Sequence, residues 1–450
     1  MPSIIEPLED RTLLSAATLS PPVQVAVGAD PAAVATADFN GDGLPDLVTA
    51  NASGTISILL NTGNGTFAPA QTLAAGLRPT SVAVGDFNGD TKPDIAVADA
   101  ATGTIKIFLN PGDGVFDLSA SYTYGTAPGV SSSPEAQLVT GDFTDDGKTD
   151  LAVADDTDNK IAVLLGNGNG TFASPVDTPF SDITDIAAAN FDNSGMSDLA
   201  VIQSGADQVD TLLSSGGGTF GGKLTETLPG QPTSLAVGDF NGDGNPDLAV
   251  AMTESAHDAI DIAFGSGLGN FSSNATLTVP SPISALVAGD FIPPATGADS
   301  TGLAAIAPTG TVIVYQNNGA GTLLAAQTIT SSSGAATVTS LAAAAADFTG
   351  AGTLGLAFPV STSATTTGSG DIDVLLPQSS VVSTGLVAGL SGALPVSAIS
   401  GSKTKLSQIL TLTNNTSKTI GGKATITLYL SPTTTVLSGA TPVLSLTRSV

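Results

Sequence analysis

One phrase recurs through most of the chain and limits what it can fold into. An Asp-Phe step, once Asn-Phe, sits between two apolar runs at Asp38, Asp86, Asp142, Asn190, Asp239, Asp290 and Asp347. The period of about 50 residues is that of a propeller blade. A second phrase, Gly-x-Gly-x-Phe or a near relative, follows each of the first six starts. It runs Gly63–Phe67, Gly112–Phe116, Gly168–Phe172, Gly216–Phe220, Gly267–Phe271 and Gly319–Leu323. Glycines beside Asn or Asp supply the positive φ that a tight hairpin needs. In the second repeat, Ser81–Gly85 reads as a small apolar first strand and Asp94–Ala98 as the second. Thr104–Leu109 alternates as a half-buried third strand should, and a more polar fourth strand follows the glycine turn. Seven such units close a ring that hides sheet edges by radial repetition. The expected fold is all-β, with a seven-bladed β-propeller over residues 19–378.

The ends of the repeat array bear on how the ring closes. Leu19-Ser20-Pro21 aligns with Phe67-Ala68-Pro69, so Val23–Val27 reads as an outer strand without a blade of its own. The last blade, Val338–Leu376, shows only three strands. The N-terminal strand is expected to complete it.

The loop after each Asp-Phe step carries the chemistry. Hard cations take oxygen ligands, and Ca²⁺ accepts six to eight of them in flexible geometry. Side-chain oxygens at positions 1, 3, 5 and 9, with the carbonyl of position 7, can wrap one ion. In the first loop these are Asp38, Asn40, Asp42 and Asp46 with Leu44; in the fifth, Asp239, Asn241, Asp243 and Asp247 with Asn245. The third offers Asp142, Thr144, Asp146 and Asp150 with Lys148. Each of these has Gly at position 6, where the turn is sharp. The second offers Asp86, Asn88, Asp90 and Asp94 with Lys92, but Thr91 replaces that glycine. The fourth, Asn190, Asp192, Ser194 and Asp198 with Met196, has two carboxylates rather than three. The sixth breaks off after Asp290-Phe291 into Ile292-Pro293-Pro294, and the seventh retains only Asp347 and Thr349 beside Ala351 and Gly355. Four Ca²⁺ ions are expected, with the Asn190 loop a marginal fifth. The phrase begins like an EF-hand, yet position 12 is Thr49 or Val250 instead of Glu, and β-type runs flank it. The competing reading is a metal-free hairpin of Asx-turns, which leaves crowded carboxylates without a counter-charge.

Loop, flanking strands and glycine turn together resemble the FG-GAP/VCBS-repeat family and the integrin α-subunit propeller. The resemblance implies calcium in the hairpins of several blades and a role in extracellular binding or adhesion. Pro7-Leu8-Glu9-Asp10-Arg11-Thr12-Leu13-Leu14-Ser15 resembles the LEPR-XLL-type motif of bacterial exported and surface proteins, with Asp10 where that pattern has Pro. It marks residues 1–18 as a sorting-type segment and implies a secreted or cell-surface protein. Residues 379–450 read as a partial immunoglobulin-like β-sandwich, with strands at Leu406–Leu412, Ala424–Leu430 and Val443–Leu446 and a turn at Asn414-Asn415-Thr416; this stretch resembles CARDB-like adhesion modules.

Composition narrows the function classes. Forty acidic residues against twelve Lys and Arg give a formal charge of −28, which argues against nucleic acid or anionic lipid as partner. No cysteine is present, so disulfides, thiolate metal sites and Cys nucleophiles are absent. The uncharged run Val374–Ser402 contains Pro377 and Pro395 with many Ser and Gly, unlike a membrane span. His257 is the only histidine and reads as a solvated loop side chain, which leaves little for acid–base catalysis. The expected protein is a non-catalytic, calcium-stabilised module for an extracellular protein or glycan ligand, with no oligomeric state implied. A lectin-type propeller is the first alternative, disfavoured by the absence of Trp, and a propeller-associated hydrolase or lyase the second.

Overall fold

The apolar runs around each Asp-Phe step become the first and second strands of a four-stranded antiparallel sheet. In the computed structural model blade 2 consists of Pro79–Gly85, Asp94–Asp99, Thr104–Leu109 and Asp117–Thr123 in that order. Gly85 pairs with Asp94, Ile95 with Phe108 and Ile105 with Tyr122. The described residues are 18–129, 136–203, 205–254, 257–292, 301–318, 321–330, 338, 342–350, 352–360 and 370–378, together with strands at 386–391, 409–414, 423–430 and 441–449. Among them seven four-stranded sheets repeat this plan. Their first strands lie side by side in chain order, and the last, Ala344–Ala346, lies beside the first, Pro31–Ala37. The ring is closed. Among the described residues no helix is long and apolar enough to cross a membrane.

Burial follows strand position. The second strand of blade 2 is buried at every residue, because sheets cover it on both faces, whereas its fourth strand is largely exposed. Each core lies between neighbouring blades: Val48, Ala50, Ile56 and Ile58 of blade 1 meet Val82, Ile95, Val97 and Phe108 of blade 2. Small residues such as Ala96 and Ala98 let the sheets approach.

The seventh sheet takes its outer strand from the start of the chain. Val23–Val27 pairs antiparallel with Gly370–Leu375, from Val23 opposite Val374 to Val27 opposite Gly370. Thr18–Leu19 pairs with Pro377–Gln378. Ser20 N donates to Leu376 O at 2.8 Å, just as Ala68 N donates to Leu60 O at 2.8 Å in blade 1. Leu19, 2 % exposed, stands where other blades place the glycine-turn Phe, and it packs in one cluster with Phe291. Gln327 of blade 6 holds it by two hydrogen bonds, accepting from Leu19 N and donating to Leu19 O, both at 2.7 Å.

First strands of neighbouring blades are joined through side chains. Thr80 Oγ1 donates to Ala136 O (3.1 Å), and Ser81 Oγ accepts from Leu138 N (3.1 Å). Asp185 of blade 4 accepts from Leu235 N (2.9 Å) and Ser234 Oγ (3.2 Å) of blade 5. Burial pushes the Asp185 carboxyl up to about 7. The native state therefore keeps this proton longer than the unfolded chain, and ionisation weakens the fold progressively as pH rises from 4 to 7. Asn can keep the two blade 5 contacts on one oxygen without the charge, and it presents NH₂ where Oδ1 accepts from Ile186 N (2.9 Å), as the protonated acid presents its hydroxyl. D185N is expected to match the wild type at pH 4 and to exceed it by about 1 kcal/mol at pH 8, the partial exposure of the side chain limiting the gain. Urea midpoints at the two pH values check this; a difference independent of pH contradicts it.

The strands at 386–391, 409–414, 423–430 and 441–449 make two pairs in a separate unit. Leu386–Ser391 pairs with Ile409–Asn414, and Lys423–Leu430 with Thr441–Ser449. Three of these strands lie at or beside the expected positions. The strand at 386–391 is additional, and it falls inside the uncharged run. The expected turn residues Asn415 and Thr416 and the segment 7–15 lie outside the described residues.

Candidate metal loops

Each candidate loop links a first strand to a second strand, and backbone geometry explains its glycines. Gly41 and Gly43 in loop 1 have φ of 74° and 85°, and a Cβ on either would meet nothing. These glycines serve the backbone and not the packing. Position 4 has positive φ in all five loops, at Gly41, Gly89, Asp145, Asn193 and Gly242, a constraint the sequence reading missed. Position 6 repeats it at Gly43, Thr91, Gly147, Gly195 and Gly244. Thr91 at φ 68° bears the left-handed conformation at a cost of about 1–2 kcal/mol.

The loop oxygens gather the loop amides. Asp38 Oδ1 accepts from Gly41 N (2.8 Å) and Asp42 N (3.2 Å), and Oδ2 from Gly43 N (2.8 Å). Asn40 Oδ1 accepts from Asp42 N (3.0 Å), and Asp42 Oδ1 from Leu44 N (2.9 Å). Loop 5 repeats the set with Asp239, Asn241 and Asp243. In loop 2 Asp86 takes Gly89 N and Thr91 N at 2.7 Å, and Asn88 takes Asp90 N at 2.9 Å. In loop 3 Asp142 takes Gly147 N at 2.8 Å and the Thr144 hydroxyl at 3.3 Å. Loop 4 is sparser. Asp192 takes Ser194 N (2.9 Å) and Ser194 Oγ takes Met196 N (3.3 Å), while Asn190 Oδ1 is buried without a hydrogen bond. Loop 7 keeps the frame, Asp347 accepting from Thr349 Oγ1 at 3.0 Å, but Gly355 stands at position 9.

The ninth-position carboxylates do something the motif did not reveal. Asp46 is fully buried; Oδ2 accepts from Phe39 N (2.8 Å) and Oδ1 from Asn61 N (2.6 Å), tying the loop to the end of the third strand. Asp94, Asp150, Asp198 and Asp247 bracket Phe87 with Asn110, Phe143 with Gly166, Phe191 with Ser214, and Phe240 with Gly265. From this region side chains reach the preceding blade. Asn61, Asn110 and Asn317 Nδ2 and Ser214 Oγ donate to the carbonyls of Phe348, Phe39, Phe240 and Phe143, each in the preceding blade. Three of these phenylalanines stack edge-on against the neighbouring glycine-turn Phe: Phe39 on Phe116 at 5.2 Å, Phe348 on Phe67 at 5.9 Å and Phe143 on Phe220 at 6.2 Å. These clamp residues stand two positions ahead of the first turn glycine, the one signal that could have exposed them.

Burial first, then the two nearby loop carboxylates, push Asp46, Asp94 and Asp150 up to about 6. Asp198 and Asp247 shift upward for the same leading reason. The negative charges of one loop therefore feel one another. Among the described residues, however, no three acidic side chains close on one point as the ligands of a bound ion do. Loops of neighbouring blades touch: Asn193 Nδ2 donates to Asn245 Oδ1 at 3.0 Å. The seventh-position side chains Leu44, Lys92, Lys148, Met196 and Asn245 lie over the glycine turn of their own blade.

FG-GAP-like repeats match residues 38–97, 86–153, 142–201 and 190–250. Each match begins on the first residue of a loop and runs to the second strand of the next blade. The chain carries FG-GAP-like repeats. The four repeats matched by the family include all five candidate loops. The propeller is similar in fold to a chain from a crystal structure of BBS1N in complex with ARL6DN, with a TM-score of 0.54 and 16% identity over 80% of this chain and 97% of that one. It is also similar to a putative 6-phosphogluconolactonase from Bacteroides uniformis, with a TM-score of 0.50 and 15% identity over 67% and 85%. An Agrocybe aegerita lectin for non-reducing terminal N-acetylglucosamine follows at 0.48 and 19%, over 70% and 81%. At these identities the likeness is one of fold. No curated protein sequence matches the chain.

Proposed function

We propose that this FG-GAP-like propeller is a non-catalytic interaction module of the cell exterior, secreted or surface-bound, whose loops 1, 2, 3 and 5 each hold a structural Ca²⁺ ion. The observation that carries the reading is the donor set. Each of these loops places three carboxylates within nine residues, together with neutral oxygens from Asn or Thr. Beside burial, the charge of two loop carboxylates raises the ninth-position Asp in loops 1, 2 and 3, and that of Asp243 does so in loop 5. Hard oxygen donors in that number suit Ca²⁺, and a divalent charge relieves the repulsion. The holding residues are Asp38, Asn40, Asp42, Asp46 and the Leu44 carbonyl, with their counterparts at Asp86–Asp94, Asp142–Asp150 and Asp239–Asp247. Loop 4, with two carboxylates and the orphaned Asn190 Oδ1, is a weaker fifth. The non-catalytic part rests on residue chemistry. His257, the sole imidazole, is exposed on a hairpin with Nδ1 3.4 Å from Glu254 Oε2. The strongly acidic chain favours an extracellular protein or glycan partner over a polyanion.

Calorimetric titration of chelator-treated protein with Ca²⁺, paired with melting curves, tests the reading. The expected result is a stoichiometry near four and a higher melting temperature, each site adding about 2.7 kcal/mol at a hundred-fold excess over its dissociation constant. Neither heat nor shift would remove calcium from the account. A glycan array run with and without Ca²⁺ then divides the partner classes, and uniform blanks leave a protein ligand.

A further inference from the structure

The position-5 carboxylate is countered differently in different loops. In loops 1 and 5 it meets only neutral donors: Asn40 Nδ2 donates to Asp42 Oδ2, and Asn241 Nδ2 to Asp243 Oδ2, both at 3.0 Å. Asn245 Nδ2 adds a further contact to Asp243 Oδ1 at 2.9 Å. In loops 2 and 3 the corresponding oxygen faces an ammonium. Lys148 Nζ lies 2.6 Å from Asp146 Oδ2, and Lys92 Nζ lies 3.7 Å from Asp90 Oδ2 while also donating to Pro111 O. Both lysines occupy position 7, where loop 1 has Leu44 and loop 5 has Asn245. Their stems are held across the glycine turn, against Gly112 and Gly168, so the ammonium is kept beside the loop.

We propose that Lys92 and Lys148 are built-in competitors for the cation, dividing the loops into two affinity classes. Loops 1 and 5 form the tight pair, and loops 2 and 3 fill only at higher free Ca²⁺. This rests on the calcium reading above and assigns its gradation to two side chains. A divalent ion entering loop 2 or 3 must displace the ammonium from Asp90 or Asp146, or share the carboxylate field with it. Breaking one unit-charge pair at about 4 Å in a water-like medium lowers affinity about five-fold. Loops 2 and 3 therefore hold their form at low calcium with the lysine as counter-ion, whereas loops 1 and 5 depend on the ion.

The test is Ca²⁺ calorimetry on the full chain, wild type against K92L/K148L, which places the loop 1 residue type at both positions. The wild type is expected to titrate in two phases of two sites each, and the double variant to bring the weaker phase about five-fold tighter. The reciprocal variant L44K is expected to weaken one tight site about five-fold, so the inference stays testable if the double variant folds poorly. Circular dichroism confirms folding in each case. Calcium binding with the same constants in all three proteins overturns the lysine assignment alone. No binding heat in the wild type overturns the calcium reading and this inference together.

Discussion

Removing residues up to Val27 is expected to lower the stability of the propeller by about 5 kcal/mol or more and to leave it prone to self-association. The segment is short, but it closes the ring. Its loss takes the five paired residues of Val23–Val27 from the seventh sheet and exposes the edge of Gly370–Leu375. An unpaired edge of this kind templates association with other chains. Leu19, buried against the blade 6–7 core, and Val27 contribute about 1.5–3 kcal/mol each by burial. The two Gln327 contacts to Leu19 would go as well, freeing the outer strand of blade 6 from its neighbour. L19A isolates part of the effect and is expected to cost about 2–4 kcal/mol, since the site cannot collapse without moving Phe291. Denaturant and thermal unfolding of the truncated and L19A proteins read this out. Midpoints equal to those of the full chain would show that the strand is decorative and that six blades with a three-stranded seventh hold the ring.

This seam was legible because alignment requires only counting: Leu19-Ser20-Pro21 falls in register with Phe67-Ala68-Pro69. The loops were legible for the same reason, their oxygens being fixed in spacing. What spacing does not carry is direction. Asp46 stands at a ligand position of the motif, yet both its oxygens are engaged by Phe39 N and Asn61 N, a fact set by how the second strand enters the core. The clamp side chains Asn61, Asn110, Ser214 and Asn317 differ in type, and Gly166 and Gly265 replace them in blades 3 and 5, so no repeated letter betrays them. Their acceptors lie in the preceding blade, and non-local contacts leave no mark in a local window. The lysine ammonium groups were hidden for a related reason. Lys92 and Lys148 entered the reading through their carbonyls, whereas their side chains are steered onto Asp90 and Asp146 by the glycine turns beneath them. The C-terminal strand Leu386–Ser391 sits in a run of small and apolar residues without alternation, which resembles neither a half-buried strand nor a turn.

The dual place of the ninth-position aspartate yields the second large effect. D46A is expected to destabilise the protein by about 3–5 kcal/mol even in chelator, whereas D38A is expected to cost only about 1 kcal/mol there. Asp38 is partly exposed, and water can take over the loop amides it now accepts from. Asp46 is sealed from solvent, so its removal orphans the amides of Phe39 and Asn61 in the core, each at about 1–3 kcal/mol. The damage also spreads, because Asn61 Nδ2 donates to the Phe348 carbonyl of blade 7 at 2.9 Å. D46N retains one acceptor but turns an NH₂ group toward the second amide, and an intermediate loss of about 2 kcal/mol is expected. Calcium separates the roles further. Both D38A and D46A are expected to remove one site from the titration, but only D46A should lower the melting temperature of the chelated protein by a large margin. Equal stability of D38A and D46A in chelator would show that the buried bracket contributes little, and that the conserved shape of the loop in the five blades is owed to its backbone turns alone.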